Sequence, residues 1–398
     1  MIFTKELEEK IRKYIDDNRE LIIDFYRDLV NHEGKDGEID NLRKTASFLK
    51  KNFELIGMSS ELIEVGGGHA PIVTGVLNPK APGKEMVFTG HYDTVFPTGT
   101  KGKNPFKTEN GKAFGPGVCD MKGGIVISFF VAKALKEFGF KTCPIRLFFV
   151  GDEEANREGG NTIELIKKYA SGILVAFNME NRNESGEICI ARQGVCEYKI
   201  TVKGVAAHPG KAFDEGRNAI EEMSHKIIAL QAITPKRKDR QYSVSVDVIK
   251  GGIVTNAIPD HCEAYADVRF WNMQALEECE SKMFKVCSEA ILEGTETELK
   301  RMDILIPFET TENVRKAYKA LKEVSDAIGG TITGSVATGG ACDAAYFSSV
   351  GAKVLCQCGI TGAYNHSVRE YARLDSLYEG IRLFIFAAYN FKLFGDLK

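Results

Sequence analysis

Two apolar runs that end in glycine and pass straight into acidic stretches constrain this chain most. Met86-Val87-Phe88 leads into Gly90-His91-Tyr92-Asp93-Thr94-Val95, and Ile145-Arg146-Leu147-Phe148-Phe149-Val150 leads into Gly151-Asp152-Glu153-Glu154. Short runs of aromatic and branched residues closed by glycine are the pattern of buried parallel strands. In open α/β sheets, ligands bind outside the carboxyl ends of such strands. The pattern therefore predicts that His91, Asp93, Glu153 and Glu154 face one crevice. A third strand, Gly172 to Phe177, ends in Asn178-Met179-Glu180-Asn181 and adds the carboxylate of Glu180.

Around these strand ends the chain alternates between helix and strand. Residues 4–32 carry helical periodicity, and a second helix fits 39–56. Strands fit 71–77 and 85–90, and 97–118 reads as a long loop rich in Gly, Pro and Lys; loops of that length inside a domain are commonly functional. Gly115-Pro116-Gly117-Val118-Cys119-Asp120-Met121-Lys122-Gly123-Gly124 then opens an apolar helix over 125–138. Asp120 lies near that helix start, where it can serve as an N-cap or as a ligand, and the segment leaves both open. From about residue 195 the pattern changes to strand, helix, two strands, helix, strand, a small two-layer unit inserted into the larger one. The predicted division is 1–194 and 308–398 for the larger domain and 195–307 for the insert. After the insert come a helix over 312–328, a strand near 331–336, and the loop Thr338-Gly339-Gly340-Ala341-Cys342-Asp343. A strand over 353–358 leads to Asn365-His366-Ser367, and a last helix fits 374–393.

Composition excludes several classes of function. With a net charge of −3, the chain carries no basic excess for nucleic acid. Its first residues are charged and lack the apolar core of a signal peptide. No apolar run reaches the roughly 18–20 residues that span a bilayer. The expectation is a soluble cytoplasmic protein. Ten cysteines are scattered without a CxxC pair, which favours reduced thiols. Cys356-Gln357-Cys358 sits in an apolar strand pattern and reads as core.

Candidate metal ligands lie at five places: His91, Asp120, Glu153 or Glu154, Glu180, and His366. Nitrogen and carboxylate oxygen without sulfur suit zinc, and also cobalt or manganese. A pair of ions needs a carboxylate to bridge them at about 3.5–4 Å. Spacing alone does not assign the roles, because there is no HExxH-type helical pair. Asp152, Glu153 and Glu154 fit a solvated acidic loop as well as a ligand set.

The chain resembles the M20 family of metallopeptidases and amidohydrolases, the group of glutamate carboxypeptidase, acetylornithine deacetylase and succinyl-diaminopimelate desuccinylase. The resemblance rests on the stretches quoted above and on Met179-Glu180-Asn181, Ala207-His208-Pro209-Gly210, Thr255-Asn256-Ala257-Ile258-Pro259, Gly339-Gly340-Ala341-Cys342-Asp343-Ala344 and Asn365-His366-Ser367. It implies an α/β fold: a mixed-sheet zinc-peptidase catalytic domain with an inserted α+β, ferredoxin-like lid and dimerisation domain. It implies two zinc ions, with Co2+ or Mn2+ as substitutes. His91 and Glu180 would be the terminal ligands of one, Glu154 and His366 those of the other, and Asp120 the bridge. Asp93 would fix the His91 tautomer. Glu153 would be the general base, its pKa raised by crowded carboxylates and lowered by the cations. His208 would steady the oxyanion from the partner subunit of a homodimer formed through the lid. Asn256, Arg269, Gly339 and Gly340 would hold a substrate carboxylate. The implied substrate is a small peptide or an N-acyl amino acid. Two departures stand out: Asn181 where the family's glutamate carboxypeptidases tend to have proline, and Ala341-Cys342 where their loop tends to read Gly-Thr. They bear on side-chain specificity and leave the metal ligands in place.

Overall fold

The periodicity over residues 4–32 breaks at Asn18. Helix α1 covers Lys5–Asp17 and α2 covers Arg19–Asn31 in the computed structural model, which describes residues 2–103, 105–155 and 157–396. Asn18 leaves the helical region at φ −108°, ψ 7°, and its Nδ2 donates to the Tyr14 carbonyl at 2.8 Å. A short amide side chain competes in this way for backbone groups, so it ends a helix without glycine or proline.

The remaining elements follow in chain order. Helix α3 is Ile39–Leu55, and strands β1, β2 and β3 are Ser59–Ile63, Ile72–Leu77 and Met86–His91. The predicted loop 97–118 contains a small hairpin, β4 Lys107–Glu109 and β5 Lys112–Phe114. Then come α4 Gly123–Glu137, β6 Ile145–Val150, α5 Thr162–Ala170, β7 Val175–Asn178 and β8 Ile188–Arg192. The next group is β9 Gly194–Lys203, α6 Ala219–Ile233, β10 Tyr242–Gly251, β11 His261–Phe270, α7 Met273–Ser288 and β12 Glu296–Leu305. The chain ends with α8 Glu312–Ala327, β13 Ser335–Thr338, α9 Ala344–Ser349, β14 Val354–Leu355, β15 Gly362–Ala363, β16 Tyr371–Arg373 and α10 Leu374–Tyr389.

These elements form two compact units. One comprises Met1–Ile190, Thr310–Ala337 and Tyr346–Lys398; the other comprises Ala191–Glu309 and Thr338–Ala345. The first unit is built on a six-stranded mixed sheet in the order β1-β2-β6-β3-β7-β14. Strands β6, β3 and β7 are parallel, with His91 opposite Val150 and Thr89 opposite Asn178. Their carboxyl ends therefore share one edge. All six residues of β3 are buried, whereas β1 at the sheet margin is half exposed. That explains why β3 reads clearly in the sequence and β1 does not. The strand expected over 353–358 pairs with β7 only at Val354 and Leu355, because Gln357 turns the chain away at φ 56°.

Helix α4 is buried along most of its length, against α2 and α10. Phe25 of α2 stacks on Phe129 of α4 at 4.4 Å, and Phe384 of α10 lies 4.9 Å from Phe177 of β7. Burying each such ring is worth about 1.5–3 kcal/mol. The start of α4 packs so closely on the end of β7 that a Cβ on Gly124 would lie 2.0 Å from the Met179 carbonyl oxygen. Glycine is required there by contact, since no other residue lets two backbones approach so nearly. No helix among the described residues is long and apolar enough to cross a membrane.

The second unit is an antiparallel sheet in the order β10-β11-β9-β12 with α6 and α7 on one face. Burial alternates along β9 and β11, as expected when one face is covered. Tyr198, Ile200, Val268 and Phe270 meet Met223 and Leu230 of α6 and Leu276 and Met283 of α7 in its core. Within that core Glu222 and Lys226, one helical turn apart on α6, form a buried ion pair at 2.8 Å. Glu222 accepts the N–H groups of Ile291 and Leu292, and Lys226 donates to the Val286 and Glu289 carbonyls. The pair thus ties α6 to the segment between α7 and β12. Removing one partner of such a pair strands a buried charge at about 3–5 kcal/mol. Lys226→Ala is expected to destabilise the second unit by about that amount in urea unfolding followed by circular dichroism. Glu222→Leu/Lys226→Met together should recover most of the loss; equal losses for the single and double variants would refute the coupling.

Candidate metal centre

The shared strand edge gathers the acidic stretches as the register requires. His91 closes β3, and its Nε2 lies 3.3 Å from Asp120 Oδ1 and 3.6 Å from Glu180 Oε1. Its Nδ1 faces Asp93, 3.1 Å from the backbone carbonyl and 3.3 Å from Oδ1. Asp93 Oδ2 accepts the Glu154 N–H at 2.9 Å, which links the end of β3 to the loop after β6. Across the site, His366 Nε2 lies 2.8 Å from Glu154 Oε1 and 3.2 Å from Asp120 Oδ2. Asp120 therefore touches one imidazole with each carboxylate oxygen.

Asp120 does not cap helix α4. It lies in the turn Val118–Lys122 with φ −114°, ψ 95°, outside the helical region, and the helix begins only at Gly123. The same turn carries Met121 beneath β3, where a Cβ on Gly90 would sit 2.1 Å from its sulfur. The three neighbouring acids after β6 divide. Asp152 is buried, bonded to Arg157 at 3.1 Å and to the Thr162 hydroxyl, and braces the loop. Glu153 and Glu154 are half-buried and reach the site.

The ligand atoms fall into overlapping triads, His91/Asp120/Glu180, Asp120/Glu154/His366 and His91/Glu153/Glu154, each with its atoms within 4.8 Å of one another. The electrostatics follow from this crowding. Burial pulls the His91 imidazole down, but its bonds to Asp120 and Asp93 and the charges of Asp93 and Glu153 hold it well above its ordinary value. Bonding to Asp120 and Glu154 raises His366 to about 10 against a smaller effect of burial. Burial opposes ionisation of Asp120, yet the two histidines hold its carboxyl below the usual carboxylate range. Five carboxylates thus surround two imidazoles and draw protons onto both. The donor set is imidazole nitrogen and carboxylate oxygen with excess negative charge, which fits two divalent cations sharing Asp120.

Several residues of the site were not singled out by the sequence. Glu370, fully buried, accepts the N–H groups of Gly117 at 3.1 Å, Cys119 at 2.7 Å and Asp120 at 2.9 Å. Burial pushes its carboxyl up to about 7, while the three N–H donors favour the anion. Asn365 Nδ2 donates to Asp120 Oδ2 at 3.0 Å and to Asn181 Oδ1 at 2.6 Å. Buried Lys122 donates to the His32 carbonyl at 2.9 Å and ties the turn to the end of α2. The one advance signal for Glu370 was its place four residues after His366; its backbone partners leave no side-chain pattern.

The other expected site residues lie in the second unit. His208 is exposed, and its Nδ1 accepts the Gly210 N–H at 3.1 Å. Asn256 is exposed in the loop after β10. Arg269 makes a forked pair with Asp267 at 2.7 and 2.8 Å and donates to the Gly339 carbonyl at 3.3 Å. The Gly340 carbonyl accepts from Arg192 at 3.3 Å.

Residues 87–390 match the model of peptidase family M20/M25/M40. The chain is 27% identical over 370 residues to carboxypeptidase G2 of Pseudomonas sp. (strain RS-16), covering 91% of this chain and 87% of that one. It is 25% identical over 365 residues to succinyl-diaminopimelate desuccinylase of Ehrlichia canis (strain Jake), covering 86% and 90%. In fold it is similar to the crystal structure of aminopeptidase PepT from Bacillus cereus, with a TM-score of 0.79 at 20% identity over 94% of this chain and 99% of the other. Metal-free protein is expected to take up two equivalents of Co2+ per chain. Asp120→Asn should weaken uptake by more than the roughly 10- to 100-fold that loss of an outer partner costs, because its two oxygens lie 3.3 and 3.2 Å from the two histidines. Calorimetric titration with Co2+ measures this; wild-type uptake by the variant would refute the shared carboxylate.

Proposed function

The chain belongs to peptidase family M20/M25/M40, and from that membership we propose that it is a di-zinc carboxypeptidase or dipeptidase that cleaves an amide bond beside a free carboxylate. The observation that carries this reading is Asp120, whose two oxygens meet two histidines from opposite sides at 3.3 and 3.2 Å. Two divalent cations held there by His91, Asp120, Glu180, Glu154 and His366 would polarise the scissile carbonyl and acidify the attacking water.

The remaining work belongs to the chain's own groups. Asp93 holds the His91 ring through Nδ1 and leaves Nε2 directed at the site. Glu153, not required as a ligand, takes the proton of the attacking water and delivers it to the leaving amine. His208 suits an oxyanion donor: its Nδ1 is engaged as an acceptor, so the neutral ring carries its proton on Nε2. Asn256, Arg269 and the Gly339-Gly340 backbone are assigned to the substrate carboxylate. For Arg269 the Asp267 pair engages Nε and Nη2, and Nη1, which also donates to the Gly339 carbonyl, has one further N–H to offer. Similarity to carboxypeptidase G2 over most of both chains favours the peptidase reading. Similarity to a desuccinylase supports N-acyl amino acid deacylation as the second.

We also assign a homodimer formed through the inserted part of the second unit, Ala191–Glu309. Its sheet ends in the edge strand β10, and Val248, Ile249, Ile253 and Val254 at and beyond that edge, with Ile228 on α6, are exposed apolar residues. Such an edge is a template for pairing with another chain.

Three tests follow. Zinc- or cobalt-loaded protein, assayed against C-terminal glutamyl dipeptides and N-acetyl and N-succinyl amino acids, should turn over the dipeptides fastest; faster turnover of the acyl amino acids would favour the deacylase reading. Glu153→Gln should lower kcat by about 10²- to 10⁴-fold with both metals retained, and a near-wild-type rate would remove Glu153 as the base. If His208 acts on the partner's site, mixing inactive Glu153→Gln and His208→Ala chains should restore activity, to about one quarter of wild type at statistical exchange. No recovery, with exchange verified by mass spectrometry of the assembled dimers, would place His208 within its own chain or outside catalysis.

A further inference from the structure

The loop between β15 and β16, residues 364–370, supplies His366, and it also reaches Asp120 twice more. Asn365 bonds the carboxylate from one side, donating from Nδ2 to Oδ2 at 3.0 Å. Glu370 bonds the main chain from the other. Its Oε1 accepts the N–H groups of Cys119 and Asp120, and its Oε2 accepts that of Gly117. The loop is internally braced, since the Glu370 N–H bonds the Ser367 carbonyl at 3.0 Å and the Ser367 N–H bonds the Tyr364 carbonyl at 3.1 Å. Tyr364 and His366 take φ 63° and 59°, a conformation that non-glycine residues adopt rarely.

We infer that Glu370 is a positioning residue for the metal centre: by holding the Gly117–Asp120 turn, it fixes the direction of the carboxylate that both cations would share. Three N–H groups converging on one carboxylate can be satisfied by little else. Glutamine keeps one oxygen, so the Cys119 and Asp120 bonds can survive, but its NH2 group then faces the Gly117 N–H, donor against donor. Aspartate is one methylene shorter and cannot span the same gap. The other holds on the turn's backbone are the Lys122 N–H on the Gly117 carbonyl at 2.9 Å, the Val118 N–H on the Gly115 carbonyl at 3.4 Å, the Gly123 N–H on the Val118 and Met121 carbonyls, and the Tyr26 hydroxyl on the Val118 carbonyl. None of these touches the peptide N–H of Asp120 itself. The position of one ligand and the backbone of another are thus set by one seven-residue loop, so disturbing it should affect both metal positions together.

This inference rests on the two-cation reading of the site, and the test separates the two. Metal-free wild type, Glu370→Gln and Asn365→Ala are titrated with Co2+ by calorimetry and by visible absorption, with circular dichroism as the check on folding. Glu370→Gln is expected to weaken Co2+ binding by about 10- to 100-fold, to alter the d–d absorption of the ion that remains, and to lower kcat with little change in KM. A purely structural glutamate would lower the melting temperature while leaving the affinity and the cobalt spectrum of the folded protein unchanged, and that result would overturn the proposal. Should Glu370→Gln fail to fold, Asn365→Ala decides: weaker Co2+ binding supports the loop as the positioning device, and unchanged binding overturns it. Failure of wild type to bind two Co2+ ions would refute the metal centre instead.

Discussion

One carboxylate shared between two imidazoles is the contact on which the rest of the centre depends. Asp120 can meet His91 and His366 together only because its turn departs from the helix that follows it. The departure comes with a glycine-bounded approach, a buried lysine tied to α2, and an acceptor for three N–H groups that lie ahead of the helix. The helix behind the turn is apolar almost all round and buried, so it acts as a fixed post. The strand register supplies the other coordinate, since parallel β6, β3 and β7 end at nearly one level.

The excess of carboxylate in the centre makes sense as a demand for charge. Carboxylates crowded together in a poorly solvated place repel one another, and each proton drawn onto His91 or His366 relieves part of that cost. A divalent ion relieves more. The arrangement of two adjacent glutamates also becomes intelligible. The Glu154 backbone is held by Asp93 and its carboxylate faces His366, whereas Glu153 groups with His91 and Glu154 without lying in either triad built on Asp120. Neighbours in sequence thus occupy different chemical positions.

What could be read from the amino acids alone was whatever left a periodic or compositional mark. The strands β3, β6 and β7 are buried on both faces and show as apolar runs, so the acids after them were legible as a group. The second unit was legible because one covered sheet face gives alternation. Edge strands such as half-exposed β1 and fully exposed β4 leave no such mark. The break at Asn18 was hidden because an asparagine amide, not glycine or proline, ends the helix. Glu370 was hidden for a deeper reason: its partners are main-chain groups of a turn some 250 residues earlier, and main chain carries no sequence signal. The Asp267–Arg269 pair lies two apart on one strand, hence on one face, and was within reach of period-two reasoning.

The order of these elements along the chain bears on how the protein is made. Strand β7 finds its outer neighbour β14 only after the whole second unit has been synthesised, and His366, Asn365 and Glu370 come later still. Domains fold largely as units during synthesis at about 5–20 residues per second, earlier parts first. The second unit therefore has the residues of its own sheet and both helices in hand while the first unit still lacks its last strand and its final helix. The turn around Asp120 must wait for its acceptor, and so the metal centre is among the last features of the nascent chain to close. Cations shared through Asp120 and His366 would have to wait until the polypeptide is nearly complete, whereas His91, Asp120 and Glu180 are all in hand by residue 180.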